Sequence, residues 1–521
     1  MKIKLHQNSK CKLFKHQKIA LKRVLRYPYY GLFMDPGTGK TLVAIKLIEK
    51  LYQQYQINRV LITVPKSIIF NWEEELYRFL HTPYNLETLS ANSADTRKKD
   101  LYGFYMDDIT RLSTNELRKK IHYPNSYSRD ELLIRLFPHL EILLVNYEKC
   151  RAMFDELRVY KPDILIVDES QKLRNRNAQV SKCIYNLSRS CCQRILMSGS
   201  PICNGYEDLF MQYKIMDEQY LGRDYRDFES RYITKGGYMN YEIKGYKNVE
   251  ELQQIVYNTS YRIKIEDCID LPEQLPTMKL YCELNSKSQK IYDSLDKEMI
   301  AQLELIKKNL SRHKLKEILK KHEIQYQSNE SYLELITKAS LILNTTSVDL
   351  LITKQLRLQQ ITGGFITMDS GESININRSK VEVLKDYLMD YKEPVVIFCN
   401  FIDEINLLVN EFKSKRIVAT IQGSTKNKGK IVNQFQEGKI DMLILQISAG
   451  SVGLNLYKAA RIIFYSWNYN YDDYIQAIGR IKRNGQKHKW QIIHIVVRNS
   501  IDEKILKIIE TKQQLAEKVI I

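Results

Sequence analysis

One stretch near the start of the chain limits the possible folds more than any other. An apolar aromatic run, Tyr29–Phe33, leads into a turn that contains Gly37 and Gly39, and Lys40 and Thr41 then open a run with helical periodicity. A strand, a glycine turn and a helix that begins with Gly-Lys-Thr form the context of a phosphate-binding loop. The glycines let backbone N–H groups face phosphate oxygens, and the helix N-terminus adds partial positive charge.

This pattern assigns chemistry to two side chains. Lys40 is expected to reach the outer phosphates of a nucleotide, and Thr41 is expected to hold Mg²⁺. The strict form of the motif requires a glycine where Met34 stands. A glycine-rich turn followed by an ordinary surface lysine is therefore the alternative, and the rest of the chain decides between the two.

The size and charge of the chain indicate at least two domains and a polyanionic partner. A chain of 521 residues is too long for one core, and its 44% hydrophobic content suffices for ordinary globular cores. The formal net charge is +19 and the pI is about 9.2. Such a balance favours nucleic acid as the partner, although a generally basic proteome would give the same charge.

The cysteine usage and the N-terminus exclude several protein classes. The nine cysteines are scattered, without a Cys-x-x-Cys pair or histidines at zinc spacing, so neither a structural zinc site nor a disulfide framework is expected. The first residues contain no apolar core of a signal peptide, and no apolar run reaches the roughly 18 residues of a membrane span. We therefore expect a cytoplasmic protein, of a bacterium or a phage-infected cell, or one that is otherwise intracellular.

The hydrophobic pattern predicts an α/β fold with two domains. Apolar, β-branched runs alternate with helical stretches in both halves, which is typical of parallel sheets covered by helices. The runs expected to be strands are 59–65, 141–147, 163–168 and 194–198 in the first half, and 394–398, 417–420, 442–445, 461–465 and 492–497 in the second. We place the domains at residues 1–265 and 266–521, with helical insertions at about 108–137 and about 285–355.

Both insertions contain a helix, a polar loop and a second helix, at residues 112–136 and 310–336. This order loosely resembles the small DNA-binding module called the SAP motif. A generic helical hairpin is the favoured interpretation, because the pattern is short and made of common residues.

A pair of carboxylates follows the apolar strand that ends at Val167. A carboxylate at the end of such a strand lies at the edge where open α/β sheets bind ligands. Asp168 is expected to hold Mg²⁺ through water, and Glu169 to polarise the attacking water. Ser198 and Ser200 follow a further strand, and their hydroxyls are candidates for relaying the nucleotide state. A polar turn is the simpler interpretation of that stretch.

Two arginines near the C-terminus are candidates for contact with a γ-phosphate. Arg480 and Arg483 are three residues apart, so on a helix they would share one face. Two guanidinium groups beside Gly479 suit phosphate contact across a domain cleft, whereas a solvated basic helix is the alternative. Near the N-terminus, the amide of Gln17 is suited to reading an adenine edge, although alone it is an ordinary polar residue.

Taken in order, these stretches resemble the sucrose-non-fermenting (Snf) family of superfamily 2 helicase-like ATPases, over nearly the whole chain. The similar stretches are the adenine-reading Q motif (Leu13–Gln17), motif I (Asp35, Pro36, Gly37, Thr38, Gly39, Lys40, Thr41), motif Ia (Val64–Ser67, Asn71, Trp72), motif Ib (Val145–Glu148), motif II (Asp168–Lys172, Asn175), motif III (Ser198–Pro201, Asn204), the entry to the second lobe (Arg262, Lys264, Leu271, Pro272), the stretch Gln422–Thr425, motif V (Ser448–Leu456) and motif VI (Gln476–Gln486).

The chain departs from the family pattern at three points. Gln171 stands where many relatives carry histidine, so the coupling of motifs II and III is expected to differ in detail. The stretch after Thr425 is short and offers Lys430 where arginine is common. No bromodomain-, chromodomain- or SANT-like appendage is visible, so a nucleosome substrate is not supported.

The resemblance implies two RecA-like lobes that close on ATP and Mg²⁺, with nucleic acid held across both lobes mainly by its phosphates. We expect a DNA-dependent ATPase that translocates on duplex or branched DNA in replication, repair or recombination. A strand-separating DNA or RNA helicase is the alternative within the class. A nucleotide-gated binding module without turnover is the alternative from another class, and Glu169 with both motif VI arginines argues against it.

Overall fold

The computed structural model describes residues 12–89, 140–236, 242–309, 346–367, 372–448 and 454–520. The helical hairpins predicted at residues 112–136 and 310–336 lie outside these ranges. The chain divides into two compact units: the first comprises Met1–Pro201, Leu209–Phe228 and Gln253–Lys264, and the second comprises Ile202–Asp208, Glu229–Leu252 and Ile265–Ile521.

The first unit is built on a seven-stranded sheet whose neighbouring strands are all parallel. Its strands are β1 (Tyr29–Met34), β2 (Arg59–Val64), β3 (Asn85–Leu89), β4 (Glu141–Asn146), β5 (Ile164–Asp168), β6 (Gln193–Met197) and β9 (Ser260–Ile263), in the order β3-β4-β2-β5-β6-β1-β9. Strands β7 (Ile233–Gly236) and β8 (Glu242–Tyr246), which belong to the second unit, form a separate antiparallel hairpin. Valine, isoleucine and leucine fill the central strands because both faces of a parallel sheet are buried.

Helices connect these strands and cover the sheet. They are α1 (Lys15–Arg26), α2 (Lys40–Gln53), α3 (Ile69–Phe79), α4 (Tyr147–Ala152), α5 (Phe154–Tyr160), α6 (Gln179–Ser188), α7 (Asp208–Met216), α8 (Glu218–Leu221), α9 (Tyr225–Tyr232) and α10 (Val249–Thr259). The crossovers through α2 and α3 run in one direction along the sheet, and those after β4 run in the other. Because such crossovers are right-handed, the two sets of helices cover opposite faces.

The second unit contains a six-stranded sheet, which is also parallel throughout. Its strands are β10 (Gln274–Cys282), β13 (Val395–Cys399), β14 (Val418–Ile421), β15 (Met442–Gln446), β16 (Arg461–Phe464) and β17 (Trp490–Val497), in the order β10-β17-β16-β13-β15-β14. Strands β11 (Phe365–Thr367) and β12 (Ser373–Asn375) form a small antiparallel pair. The described helices are α11 (Ser286–Asn309), α12 (Thr346–Gly363), α13 (Ser379–Met389), α14 (Ile402–Phe412), α15 (Lys428–Gln436), α16 (Tyr471–Ile478) and α17 (Ile501–Ile520).

The prediction of α/β architecture with parallel sheets is confirmed, but three strands of the two large sheets escape the sequence pattern, as do the strands of the two small antiparallel pairs. Strands β3, β9 and β10 lie at sheet edges, where one side has no neighbouring strand. β10 is largely exposed and contains Pro276 and a register shift between Leu275 and Met278. Edge strands lack the continuous apolar run of buried parallel strands, so the hydrophobic pattern alone does not mark them.

Among the helices of the described ranges, none combines the length and the apolar character that a membrane span requires.

Candidate nucleotide site

The Gly-Lys-Thr stretch forms a tight turn between β1 and α2. Gly37 and Gly39 adopt positive φ angles of 86° and 82°, a region that side-chain-bearing residues rarely enter. The turn is closed by the Thr38 hydroxyl, which donates to the Asp35 carbonyl oxygen over 2.7 Å. The ammonium of Lys40 donates to the carbonyl oxygens of Met34 at 2.7 Å and Asp35 at 3.3 Å. The ammonium of Lys40, the first residue of α2, is therefore held beside the turn at the N-terminus of this helix, as a phosphate-binding loop requires.

The turn is supported from behind by helix α1. His16 Nε2 lies 2.9 Å from the Thr38 carbonyl oxygen, and the Gln17 side-chain amide donates to the same oxygen over 3.0 Å. The other end of that amide accepts from the Phe14 N–H at 3.0 Å, and Gln17 is buried. The structure thus uses both ends of the amide to fix the turn, while the adenine-reading role of Gln17 stays a prediction.

The carboxylate pair lies at the same edge of the sheet as this turn, namely the edge formed by the C-terminal ends of the parallel strands. The register aligns Leu32 of β1 with Met197 of β6, and Met197 with Asp168 of β5. Because neighbouring strands are about 4.8 Å apart, the backbones at Leu32 and Asp168 are about 10 Å apart. Asp168 therefore ends a strand that lies two strands away from β1, which enters the Gly-Lys-Thr turn, so that one ligand could contact both.

Asp168 is a buried carboxylate with defined hydrogen-bond donors. The indole Nε1 of Trp72 donates to Asp168 Oδ2 over 2.8 Å, and the Glu169 N–H donates to Oδ1 over 2.9 Å. Burial, and after it the negative charge of Glu169, raise the pKa of Asp168 from its ordinary value to about 6, although the Trp72 hydrogen bond and the charge of Lys40 oppose the rise. The Tyr147 hydroxyl donates to the Asp168 carbonyl oxygen and fixes the backbone at the strand end.

Glu169 is connected to the end of the next strand through Gln171. The Gln171 amide donates to Glu169 Oε2 over 2.6 Å, and its carbonyl oxygen accepts from the Ser198 hydroxyl over 2.7 Å. Ser198 also accepts from the Ser200 N–H at 3.0 Å. Gln171 stands where many relatives carry histidine, and its side-chain amide both donates and accepts, so it links Glu169, the expected base, to Ser198. Glu169 itself has a positive φ of 53°, a strained conformation of the kind that clusters at functional sites.

Arg262 of β9 links the Gly-Lys-Thr turn to the segment after β6. Its guanidinium lies 3.4 Å from the Asp35 carboxylate and donates to the carbonyl oxygens of Phe33 and Gly199, both at 3.3 Å. The sequence singled out Arg262 only as part of the stretch that leads to the second half. Its partners are far away along the chain, so no local pattern reveals this contact.

The arginines Arg480 and Arg483 do not lie on a helix, so the prediction of a shared helical face is wrong. Helix α16 ends at Ile478 with Gly479 as its C-terminal cap, and the chain continues in tight turns. The guanidinium of Arg483 bonds back to the Gly479 carbonyl oxygen at 2.7 Å and also donates to Asn455. Glycine has low helix propensity, which accounts for the early end. Arg480 is buried, with 7% of its surface exposed.

Lys482, between these arginines, forms an ion pair with Glu266 at 2.6 Å within the same unit. The two arginines have other partners. The Arg483 guanidinium bonds to Gly479 and Asn455, and the Arg480 carbonyl oxygen accepts from the Leu456 N–H. In the second unit, motif VI and the end of motif V are therefore packed together.

The groups at this sheet edge of the first unit are of the kinds that bind ATP and Mg²⁺. Thr41 and Asp168 offer a hydroxyl and a carboxylate, the oxygen ligands that Mg²⁺ prefers. The positive-φ glycines and the N-terminus of α2 offer N–H groups to phosphates, and Lys40 supplies a cation beside them. The sequence did not assign Trp72 a role in this set, because its contact with Asp168 joins residues 96 positions apart.

Two family models match the chain. The model described as SNF2-related domain covers residues 30–348, and the model described as helicase conserved C-terminal domain covers residues 379–485. The first contains β1 from Tyr30 onward, the Gly-Lys-Thr turn and the Asp168–Glu169 pair, and the second contains Arg480 and Arg483.

Several curated proteins are similar to the chain at low identity. An uncharacterized ATP-dependent helicase of Mycoplasma genitalium is 24% identical over 100% of this chain and 43% of that protein. A DNA repair and recombination protein RAD54-like of Drosophila pseudoobscura pseudoobscura is 24% identical over 93% and 60% of the two chains. The DNA repair and recombination protein RAD26 of Saccharomyces cerevisiae is 25% identical over 98% and 47%. The chain therefore spans about half the length of the curated relatives it matches.

Among solved structures, the Sulfolobus solfataricus SWI2/SNF2 ATPase core in complex with dsDNA is similar to the chain at 20% identity, with a TM-score of 0.39. The match covers 100% of this chain and 95% of that one.

Proposed function

Because the chain belongs to the SNF2-related domain family, we propose that it is a DNA-dependent ATPase that uses ATP hydrolysis to move along duplex or branched DNA. Its work would lie in replication, repair or recombination. The proposal divides the chain into an ATP-binding lobe at residues 1–265 and a second lobe at residues 266–521.

One observation carries the proposal: the Gly-Lys-Thr turn and a carboxylate pair, the buried Asp168 and the half-buried Glu169, lie at the same edge of one parallel sheet. Lys40 would neutralise the outer phosphates, and Thr41 and Asp168 would hold Mg²⁺, which supplies charge neutralisation between the phosphates. Glu169 would accept the proton of the attacking water, and its contact with Gln171 fixes the direction of its carboxylate.

The role proposed for Arg480 and Arg483 is stabilisation of the γ-phosphoryl charge in the transition state. Planar guanidinium groups match phosphate geometry, and an arginine finger contributes roughly 10³–10⁵ in rate. Lys482 is a weaker candidate because its ammonium already pairs with Glu266. If these arginines meet the nucleotide only when the lobes close, hydrolysis is coupled to the closed state.

DNA is the proposed substrate because a net charge of +19 favours a polyanion and because similar proteins are named for DNA repair and recombination. Binding through phosphates would depend steeply on salt and weakly on sequence. Affinity for duplex DNA that stays flat between about 50 and 200 mM salt would argue against phosphate contacts as the main source of binding.

The test of this function is ATP turnover measured with matched nucleic acids: single-stranded, duplex, forked and four-way DNA, and RNA. The proposal expects strong stimulation by duplex or branched DNA and weak stimulation by RNA. The variant Glu169→Gln is the control that separates this turnover from contaminating ATPase. Stimulation by single strands alone would favour the strand-separating helicase, and ATP binding without turnover would favour the nucleotide-gated module.

A further inference from the structure

A cavity of about 410 Å³ lies in the second unit, between the C-terminal ends of helices α13 and α14. We call it the basic groove and define it by the residues that the argument uses: Lys385, Leu388, Met389, Lys392, Phe412 and Lys415. Arg416 and Asp441 complete its lining. Its volume falls in the range of roughly 300–1,000 Å³ that is typical of ligand pockets.

The groove lies at the edge of the sheet where the strands begin. Lys392 precedes β13, Arg416 precedes β14 and Asp441 directly precedes β15. In open parallel sheets, ligands bind outside the opposite edge, where the strands end. The groove is therefore separate from the edge at which open α/β sheets bind their ligands, so a molecule bound in it would be distinct from the nucleotide.

The floor and one wall of the groove are apolar. Leu388 and Phe412 are buried beneath it, whereas 68% of the Met389 side chain is exposed. Ile417, which directly follows Arg416 of the lining, is 60% exposed. Beside the cavity, this exposed apolar surface is available for burial by a partner, and methionine adapts its shape to what it contacts.

The charged groups of the lining differ in how far they are already neutralised. Arg416 donates to the carbonyl oxygens of Leu388 and Tyr391, and the Asp441 carboxylate accepts from the Ile417 N–H at 3.0 Å. Lys385 lies 3.3 Å from the Glu411 carboxylate. Arg416, Asp441 and Lys385 thus already have hydrogen-bond or ion-pair partners within the chain, and these contacts hold the helix ends together.

Lys392 and Lys415 are different. Both are exposed, and among the residues that the structure describes, neither ammonium has an ion-pair or hydrogen-bond partner. The nearby acidic groups have other partners: Glu411 pairs with Arg378 and Lys385, Asp441 accepts from the Ile417 N–H, and Glu393 accepts from the Tyr391 hydroxyl. The groove thus presents two unengaged cations beside an apolar floor.

We propose that the basic groove is a docking site for an acidic protein segment that carries a large apolar side chain. The apolar side chain would enter the cavity over Leu388 and Phe412, and flanking carboxylates would pair with Lys392 and Lys415. Charge complementarity requires an anionic partner, and the exposed apolar surface of Met389 favours a peptide over a phosphate backbone, which has no apolar group to bury. This interaction is additional to ATP hydrolysis and DNA binding.

The experiment uses the full chain and a fluorescently labelled array of acidic 12-residue peptides, in which one large apolar residue varies in type and position. A matched array carries serine at that position. The test variant is Lys392→Glu combined with Lys415→Glu. The control variant is Lys290→Glu combined with Lys507→Glu, which makes the same change in charge at exposed lysines outside the groove.

The proposal expects peptides of the first array to bind the wild-type chain and the control variant. Their affinity should fall by about tenfold or more in the test variant, because attractive charges become repulsive ones. The serine array should bind weakly, and DNA-stimulated ATP turnover should stay the same in both variants. This last readout separates failure of the groove from failure of the proposed ATPase.

Three results would overturn the proposal. Equal binding of the serine array would show attraction by charge alone. Loss of DNA affinity in the test variant would assign the groove to the nucleic-acid path. An array in which no peptide distinguishes the wild-type chain from the test variant would exclude an acidic-apolar docking site.

Discussion

The hydrogen bond from Trp72 to Asp168 offers a sharp test of the candidate site. Trp72 is 1% exposed, and its Nε1 donates to Asp168 Oδ2 over 2.8 Å. The substitution Trp72→Phe keeps an aromatic ring but removes the donor, so the buried carboxylate loses one of its two donors described above. Trp467→Phe is the matched control, because Trp467 is also buried and its Nε1 has no hydrogen-bond partner in the described part of the chain.

The magnitude follows from the charge state of Asp168. A hydrogen bond to a charged group contributes about 1.5–3 kcal/mol, against about 0.5–1.5 kcal/mol for a neutral one. The pKa of Asp168 is raised to about 6 from 3.8, so its ionisation already disfavours the fold as pH rises through about 6. Without the Trp72 donor that cost grows. We therefore expect Trp72→Phe to lose about 1–2 kcal/mol more stability at pH 8 than at pH 5.

The assay is urea unfolding in Mg²⁺-free buffer at the two pH values, followed by hydrogen exchange and mass spectrometry. This readout reports peptides of the first unit, such as β5, separately from those of the second. Trp467→Phe should lose similar stability at both pH values, in the second unit. A double-mutant cycle with Asp168→Asn should give a coupling energy of about 1.5–3 kcal/mol at pH 8. A coupling energy near zero, or equal losses at both pH values for Trp72→Phe, would refute the reasoning.

Three further predictions follow from the described contacts. Lys40→Ala should weaken ATP binding, whereas Glu169→Gln should keep binding and lose turnover; near wild-type turnover by Glu169→Gln would remove Glu169 as the base. ATP binding, DNA binding and DNA-saturated turnover should each be measured for Arg480→Ala and Arg483→Ala. If the arginine is a finger, its alanine variant loses turnover by roughly 10³-fold or more while both bindings persist, and a lysine variant does not restore turnover. Recovery of turnover at high DNA concentration would assign that arginine to DNA contact. Glu404 of α14 is buried and accepts hydrogen bonds from the N–H groups of Asn400 and Phe401. Burial raises its pKa from 4.5 to about 7, so the stability of the second unit should fall by about 3 kcal/mol between pH 4.5 and 7. Glu404→Gln should flatten that slope in urea unfolding, and an unchanged slope would contradict the assignment.

The sequence predicted the parts of the structure that depend on local pattern. The central strands, the Gly-Lys-Thr turn and the carboxylates at the end of β5 all follow from hydrophobic runs and glycine positions. The edge strands β3, β9 and β10 were missed because they lack a fully buried face. The helix expected at Arg480 and Arg483 was wrong because Gly479 ends it.

Other features lie beyond a single sequence because they depend on distant partners. Trp72 and Asp168 are 96 positions apart, and Arg262 and Phe33 are 229 apart. The basic groove joins the ends of two helices and the starts of three strands, none of which carries a motif. Only the packed fold brings these groups together, so local periodicity contains no signal for them.

The central claim, movement along duplex DNA driven by ATP, is tested most directly by displacement of a third strand from a DNA triplex. The account predicts that the chain releases the labelled third strand when ATP is hydrolysed, leaves the underlying duplex intact, and fails to do so as Glu169→Gln. Robust DNA-stimulated ATP turnover without any release of the third strand, or release only with separation of the duplex strands, would contradict it.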